Sequence, residues 1–248
     1  WKSLTSGADP GAGWAAAGFN DGAWGTGTGL FAGGTAGWAP GEWRTIPGLY
    51  SSGIGTNDVA IEPGQPDPHY RLTVSSWTSG PPTPVAATVM QNHSAWLAND
   101  GASRWIGAIT NGALNVPQGP YQFRTQFSLT GMDLTTAVVT LQFAVDNLLT
   151  NVALNGTFRG FAYSNFNAFS GDFVLSNGFA AGTNTLELYT VNSGTSANPG
   201  AFRVRAAGSA MQRIPTNTAL ATGPTTQYFR TRFVVTGDVA RAVLQLRL

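Results

Sequence analysis

Two histidines, nine aspartates and three glutamates are the groups with which this 248-residue chain could do acid–base or metal chemistry. His69 stands in DPHY and His93 in QNHSAW, without the HExxH spacing that puts two imidazoles on one zinc ion. Both read as ordinary turn or strand-edge residues. A glycosidase needs two carboxylates across a cleft, and Asp146 and Glu187 are the pair to weigh. Asp146 comes just before a strand–turn–strand (VALNG), so it reads as a turn-fixing acceptor of backbone N–H groups. Glu187 alternates with Leu186 and Leu188 and should face solvent. There is no GxSxG, and GTGTGLFAGG lacks the Lys and the helix of a phosphate-cradling loop. No catalytic residue is assigned, and the chain is not expected to be an enzyme.

Binding is the other chemistry on offer. Trp38, Trp43 and Trp77 lie in Gly/Pro-rich, loop-like segments, where an exposed ring can serve as a sugar-stacking platform. The same rings could instead pin loops to a core or form subunit contacts, where Trp is enriched. Trp24 and Trp105 align with each other after an NDG motif and read as core. Asp58 and Glu62 near Asn57, or Asp172 after Gly171, offer oxygens of the kind that hold structural calcium. No EF-type spacing joins them, so no metal and no cofactor is assigned.

Composition narrows the partners. Charged residues make up only 10% of the chain, the net charge is +1, and a single Lys stands against twelve Arg with no basic run. Nucleic acid is therefore not an expected partner. No apolar stretch approaches the roughly 20 residues of a membrane helix, so membrane insertion is not expected. Cysteine is absent, which excludes disulfides and thiolate chemistry. The chain begins with Trp and shows no signal peptide, so either a targeting segment has been removed or this is a piece of something longer.

The elements that must position these residues are strands. Thirty-two Gly and fourteen Pro punctuate short runs with period-two alternation. Phe123, Thr125, Phe127 and Leu129 share one face, as do Ala137, Val139, Leu141, Phe143 and Val145. The only helix-like stretch is a turn or two at Trp14–Phe19. The expectation is an all-β fold with two jelly-roll-like β-sandwich units. FRTxFxxTG occurs at Phe123–Gly131 and again at Phe229–Gly237, and Trp14…Asn20-Asp21-Gly22…Trp24 echoes Trp96…Asn99-Asp100-Gly101…Trp105. The simplest reading is nesting. A complete inner sandwich (48–210) interrupts an outer one whose parts are 1–47 and 211–248, the latter ending mid-sandwich. A tandem array cut at arbitrary points has the same pattern.

Across the inner unit run DPHYRL from Asp67, WLAN from Trp96, RWIG from Arg104, YQFRT from Tyr121, LNG from Leu154, GFAAGTNTL from Gly178 and NPGAFRV from Asn198. This string of motifs resembles the β-sandwich modules of exported bacterial proteins that often carry a PEP-CTERM sorting tail. The outer unit, with FNDGAW from Phe19 and YFRTRF from Tyr228, is similar to galactose-binding-like sandwiches. The resemblance implies export from a bacterium, an extracellular or cell-surface location and a non-catalytic role.

A half-built outer sandwich would leave a sheet edge open at Phe229, Phe233, Leu244, Leu246 and Leu248. Three things could fill it: further chain, the inner unit, or strands from a second copy. The last, head to tail, builds filaments. The expected function is a structural or adhesive extracellular protein whose partners are copies of itself. The alternative is a carbohydrate-binding module that holds a polysaccharide.

Overall fold

The computed structural model describes residues 1–4, 6, 8–26, 31–33, 38–215, 218–220 and 228–230. These residues are all-β, with no helix among them. The strands are β1 (Lys2–Leu4), β2 (Gly25–Thr26), β3 (Phe31–Gly33), β4 (Trp38–Thr45), β5 (Pro66–Ser75), β6 (Val85–Val89), β7 (Ile106–Gly107) and β8 (Gly119–Ser128). They continue with β9 (Met132–Asp146), β10 (Leu148–Leu154), β11 (Thr157–Phe158), β12 (Phe173–Leu175), β13 (Thr183–Asn192), β14 (Ala201–Pro215), β15 (Thr218–Leu220) and β16 (Tyr228–Arg230).

The chain divides into two compact units, the larger comprising Pro40–Arg213. In the smaller unit β1 pairs antiparallel with β16 on one side and with β2 on the other, while β3 and β15 pair in parallel. The Trp14–Phe19 stretch, expected as a helical turn or two, forms successive turns instead. Ala16 N donates to Gly13 O at 2.9 Å and Phe19 N to Ala16 O at 3.1 Å. Glycines at 11, 13 and 18 break any longer helical ladder. Trp24 is buried there, stacked on Trp14 at 6.4 Å.

The larger unit is one curled antiparallel sheet in the order β11-β10-β13-β8-β5-β6-β7-β14-β9-β12, with β4 added on β14. β8 and β13 pair without interruption from Gly119↔Asn192 to Ser128↔Thr183. β9 and β14 pair from Asp146↔Ala201 to Met132↔Gln212, with a bulge after Ser209. Curling brings these two ribbons face to face. Phe202 of β14 stacks on Phe123 of β8 at 5.4 Å and meets Phe143 of β9 at 6.0 Å.

The period-two faces read from the sequence are those seen. Phe123, Thr125, Phe127 and Leu129 are buried, and so are Ala137, Val139, Leu141, Phe143 and Val145. Each large side chain among them contributes roughly 1.5–3 kcal/mol by leaving water. The unit extends past 48–210 at both ends. Ile46 is 4% exposed in the core, and β14 keeps its pairing with β9 as far as Gln212.

A loop over one side of this core carries the NDG motif. Asn99 Oδ1 accepts from Trp105 N at 2.8 Å, and Asp100 Oδ1 accepts from Ala102 N and Ser103 N at 2.9 Å each. The buried Trp105 ring lies 4.7 Å from Trp96 and donates its Nε1–H to Leu97 O at 2.8 Å. Arg203, fully buried, ties the loop to β14. It donates to Ser103 Oγ at 2.9 Å and to Ala98 O at 2.7 Å, and pairs with Asp100 at 2.9 Å. Arg205 joins Asp100 as well, and both guanidiniums lie over the Phe169 ring.

Candidate functional site

The residues singled out as chemistry-bearing are scattered by the fold. Trp43 is 57% exposed, but it sits on β4 and not in a loop, beside the Glu42–Arg44 ion pair at 2.7 Å. Trp38 opens the same strand, and its side chain lies outside the described residues. Trp77 is half-buried in a turn where Gly80 N donates to Trp77 O at 3.0 Å. A Cβ on Gly80 would sit 2.7 Å from the indole, so only glycine lets the ring lie flat on that backbone. The half-buried Trp77 ring thus packs on the backbone of its own turn. Phe229 lies in β16, paired with Ser3, while Phe233, Leu244, Leu246 and Leu248 lie outside the described residues.

Asp146 and Glu187 do not face one another. Asp146 borders an internal cavity of about 10 Å³, room for a single water. Its carboxylate accepts from Trp96 Nε1 at 2.8 Å and Asn147 Nδ2 at 2.6 Å, side-chain donors where backbone N–H groups were expected. Burial pushes its carboxyl above the ordinary range. Thr190 and Asn192 of β13 line that cavity, whereas Glu187 alternates with the buried Leu186 and Leu188 and so projects from the opposite face. Glu187 does look outward, as its alternation predicts, but it is covered there by Arg124 at 2.7 Å.

His93 closes a turn, with Nδ1 accepting from Ala95 N at 3.1 Å. Among the described residues no group of three or more acidic or imidazole side chains converges as a metal site. Asn57 Oδ1 accepts from Val59 N, Glu62 pairs with Arg104, and Asp172 accepts from Gln142.

What the fold does gather is a set of polar and aromatic groups on the outer face of β5, β8, β13 and β10. Arg71, Arg124 and Glu187 are successive Cα partners across β5, β8 and β13. Glu187 Oε1 accepts from Arg124 Nε and Nη2 at 3.2 and 2.7 Å and from Gln122 Nε2 at 3.2 Å. Gln122 partners Tyr189, and Gln126 partners Thr185, with Gln126 Nε2 donating to Thr185 Oγ1 at 3.2 Å. Phe158 on β11, 59% exposed, meets the Tyr189 ring edge-on at 5.2 Å.

Beyond Arg71↔Arg124 the pairing of β5 with β8 ends. Pro47 O takes Ser128 N at 2.8 Å instead, and Gly48 lies over Phe127. A hollow of about 300 Å³ opens there, lined by Pro68, His69, Arg71, Arg124, Thr125 and Gln126. The His69 ring is stacked on Tyr50 at 3.8 Å, and burial holds its pKa below the ordinary value, so it is neutral at pH 7.

No family model matches the chain, and no curated protein matches it. Among solved structures, the secreted serine protease VesC from Vibrio cholerae is similar at 11% identity and a TM-score of 0.27, over 74% of this chain and 45% of that one. The chain spans less than half the length of that structure, and a likeness this slight carries neither fold nor activity across.

Sequence reasoning missed the outer-face set. The alternation of FRTQF already turns Arg124 and Gln126 away from the core. Nothing in the sequence gives the register that brings Arg71 and Glu187 alongside.

Proposed function

We propose that this chain is a non-enzymatic, adhesive β-sandwich module of an exported bacterial protein, which holds an extracellular polysaccharide on the outer face of β5, β8, β13 and β10. The observation that carries this reading is the face itself. It is a row of hydrogen-bonding side chains (Gln122, Arg124, Gln126, Glu187) ending in the exposed Phe158 ring against Tyr189. Amides, guanidinium and carboxylate suit sugar hydroxyls, and an exposed aromatic ring suits the C–H face of a pyranose. A saccharide chain needs an open face of this kind, whereas bond cleavage needs two convergent carboxylates. Here the two candidates do not converge, Asp146 being bonded to Trp96 and Asn147 and Glu187 to Arg124.

Affinity electrophoresis through gels cast with a panel of neutral and acidic polysaccharides tests the proposal. Retardation by at least one polysaccharide is expected, weakened about tenfold by Phe158→Ala or Gln122→Ala and unchanged by Trp77→Ala. Free migration through every gel overturns it, as does release of shortened saccharides.

A further inference from the structure

Arg71 and Arg124 are direct Cα partners on neighbouring antiparallel strands, a placement that sets like charges against each other and works against the sheet. Among the described residues only one carboxylate answers the two guanidiniums. Glu187, on the far side of Arg124, takes Arg124 Nε and Nη2 on a single oxygen. Arg71 donates from Nη2 to Pro84 O at 3.0 Å and meets no carboxylate among the described residues. The row thus carries an excess of one positive charge, with planar N–H forks still unspent on Arg71. Where a sequence breaks a local rule without compensation, a site is the first explanation to test.

A second, independent observation lies in the adjoining hollow. His69 Nε2 is buried and has no hydrogen-bond partner. His69 lines the hollow beside Arg71 and Arg124. Buried polar groups without partners are uncommon in a finished core. A planar fork matches a planar, singly charged anion, and the imidazole and amide beside it match sugar hydroxyls.

We infer that the hollow between β5 and β8 is a subsite for the carboxylate of an acidic sugar, with Arg71 and Arg124 holding a uronic-acid residue of the polysaccharide and His69 and Gln126 contacting its hydroxyls. This rests on the glycan-holding face proposed above and names the chemistry that face selects.

Isothermal titration of the whole protein with oligogalacturonate tests it, alongside its methyl ester, a neutral oligosaccharide and a sulfated one. The free acid should bind at least tenfold tighter than its ester. Arg71→Gln should remove that preference, and Gln126→Ala should weaken the acid several-fold. Arg44→Gln, which removes an exposed guanidinium elsewhere, should change affinity less than twofold, showing that net charge alone is not responsible. The comparison of acid with ester needs no variant, so it stands even where a substitution impairs folding. Equal affinity for acid and ester overturns the inference, as does a preference for the sulfated sugar or an acid preference that survives Arg71→Gln. If neutral glycans bind and the acid has no advantage, the subsite falls while the glycan-holding face stands. If nothing binds, both fall.

Discussion

Removing the Arg203 guanidinium would strand the buried Ser103 Oγ and take a donor from Ala98 O, while Leu97 O would keep its bond from Trp105 Nε1. Each unsatisfied group costs about 1–3 kcal/mol. Arg203→Met should therefore lower stability by about 1–3 kcal/mol, read as a lower urea midpoint with an unchanged slope. The partner carboxylate makes this pH-dependent. Burial alone would raise Asp100, but N–H bonds from Ala102 and Ser103, with Arg203 and Arg205 beside it, hold its pKa below the ordinary 3.8. A lowered carboxyl adds stability that is present above the unfolded pKa and is lost as pH falls through the folded one. The stability gap between wild type and Asp100→Asn should hold from neutral pH down to about pH 4 and narrow below it. Asp67 provides the opposite sign. Burial outweighs its bonds from Gly53, His69 and Tyr70 and raises its pKa. The gap to Asp67→Asn should be widest in acid and narrow as pH rises through that raised value. A common slope for the two variants in urea titrations between pH 3 and 7 would contradict this assignment.

At the scale of the elements, turn chemistry is exposed to a direct test. β10 and β11 are joined by Asn155 and Gly156 at φ 52° and 78°, the left-handed pair that a two-residue hairpin requires. A Cβ on Gly156 would meet nothing within 4 Å, so Gly156→Ala isolates the backbone strain. It should cost about 1–2 kcal/mol in a thermal melt. That hairpin was legible, since LNG between apolar residues is a turn signal. The long strands were legible too, because Phe123–Leu129 and Ala137–Val145 alternate over enough residues to reveal a buried face. β4 was not. Pro40 and Gly41 are loop residues by composition, and only pairing with β14 makes a strand of Trp38–Thr45. The outer-face site was illegible for a related reason. A like-charged pair such as Arg71↔Arg124 exists only once the register is set, and the register depends on a bulge between Leu72 and Val74.

For the whole molecule, the question is which stretch of chain makes a self-sufficient core. The inward side chains of both faces of the larger unit, from Ile46 to Ala210, belong to one cluster within Pro40–Arg213. A fragment of 40–213 should therefore fold alone and unfold in a single cooperative transition. A fragment of 48–210 lacks Ile46, whose backbone N also donates to Gly208 O at 3.2 Å. It also lacks the Met211↔Asp133 and Gln212↔Met132 pairs and the bond from Ser128 N to Pro47 O. Losing a buried Ile side chain costs about 2–5 kcal/mol, which in a domain of this size lowers the melting temperature by roughly 5–15 °C. Ordering this core also requires distant contacts, since Ser52 Oγ must reach Val204 across 152 residues of sequence. Such closure is slow, so stopped-flow refolding of 40–213 should take milliseconds to seconds, not microseconds. Equal melting temperatures for the two fragments would move the boundary of the folding unit inward to 48–210 and leave β4 and the end of β14 outside it.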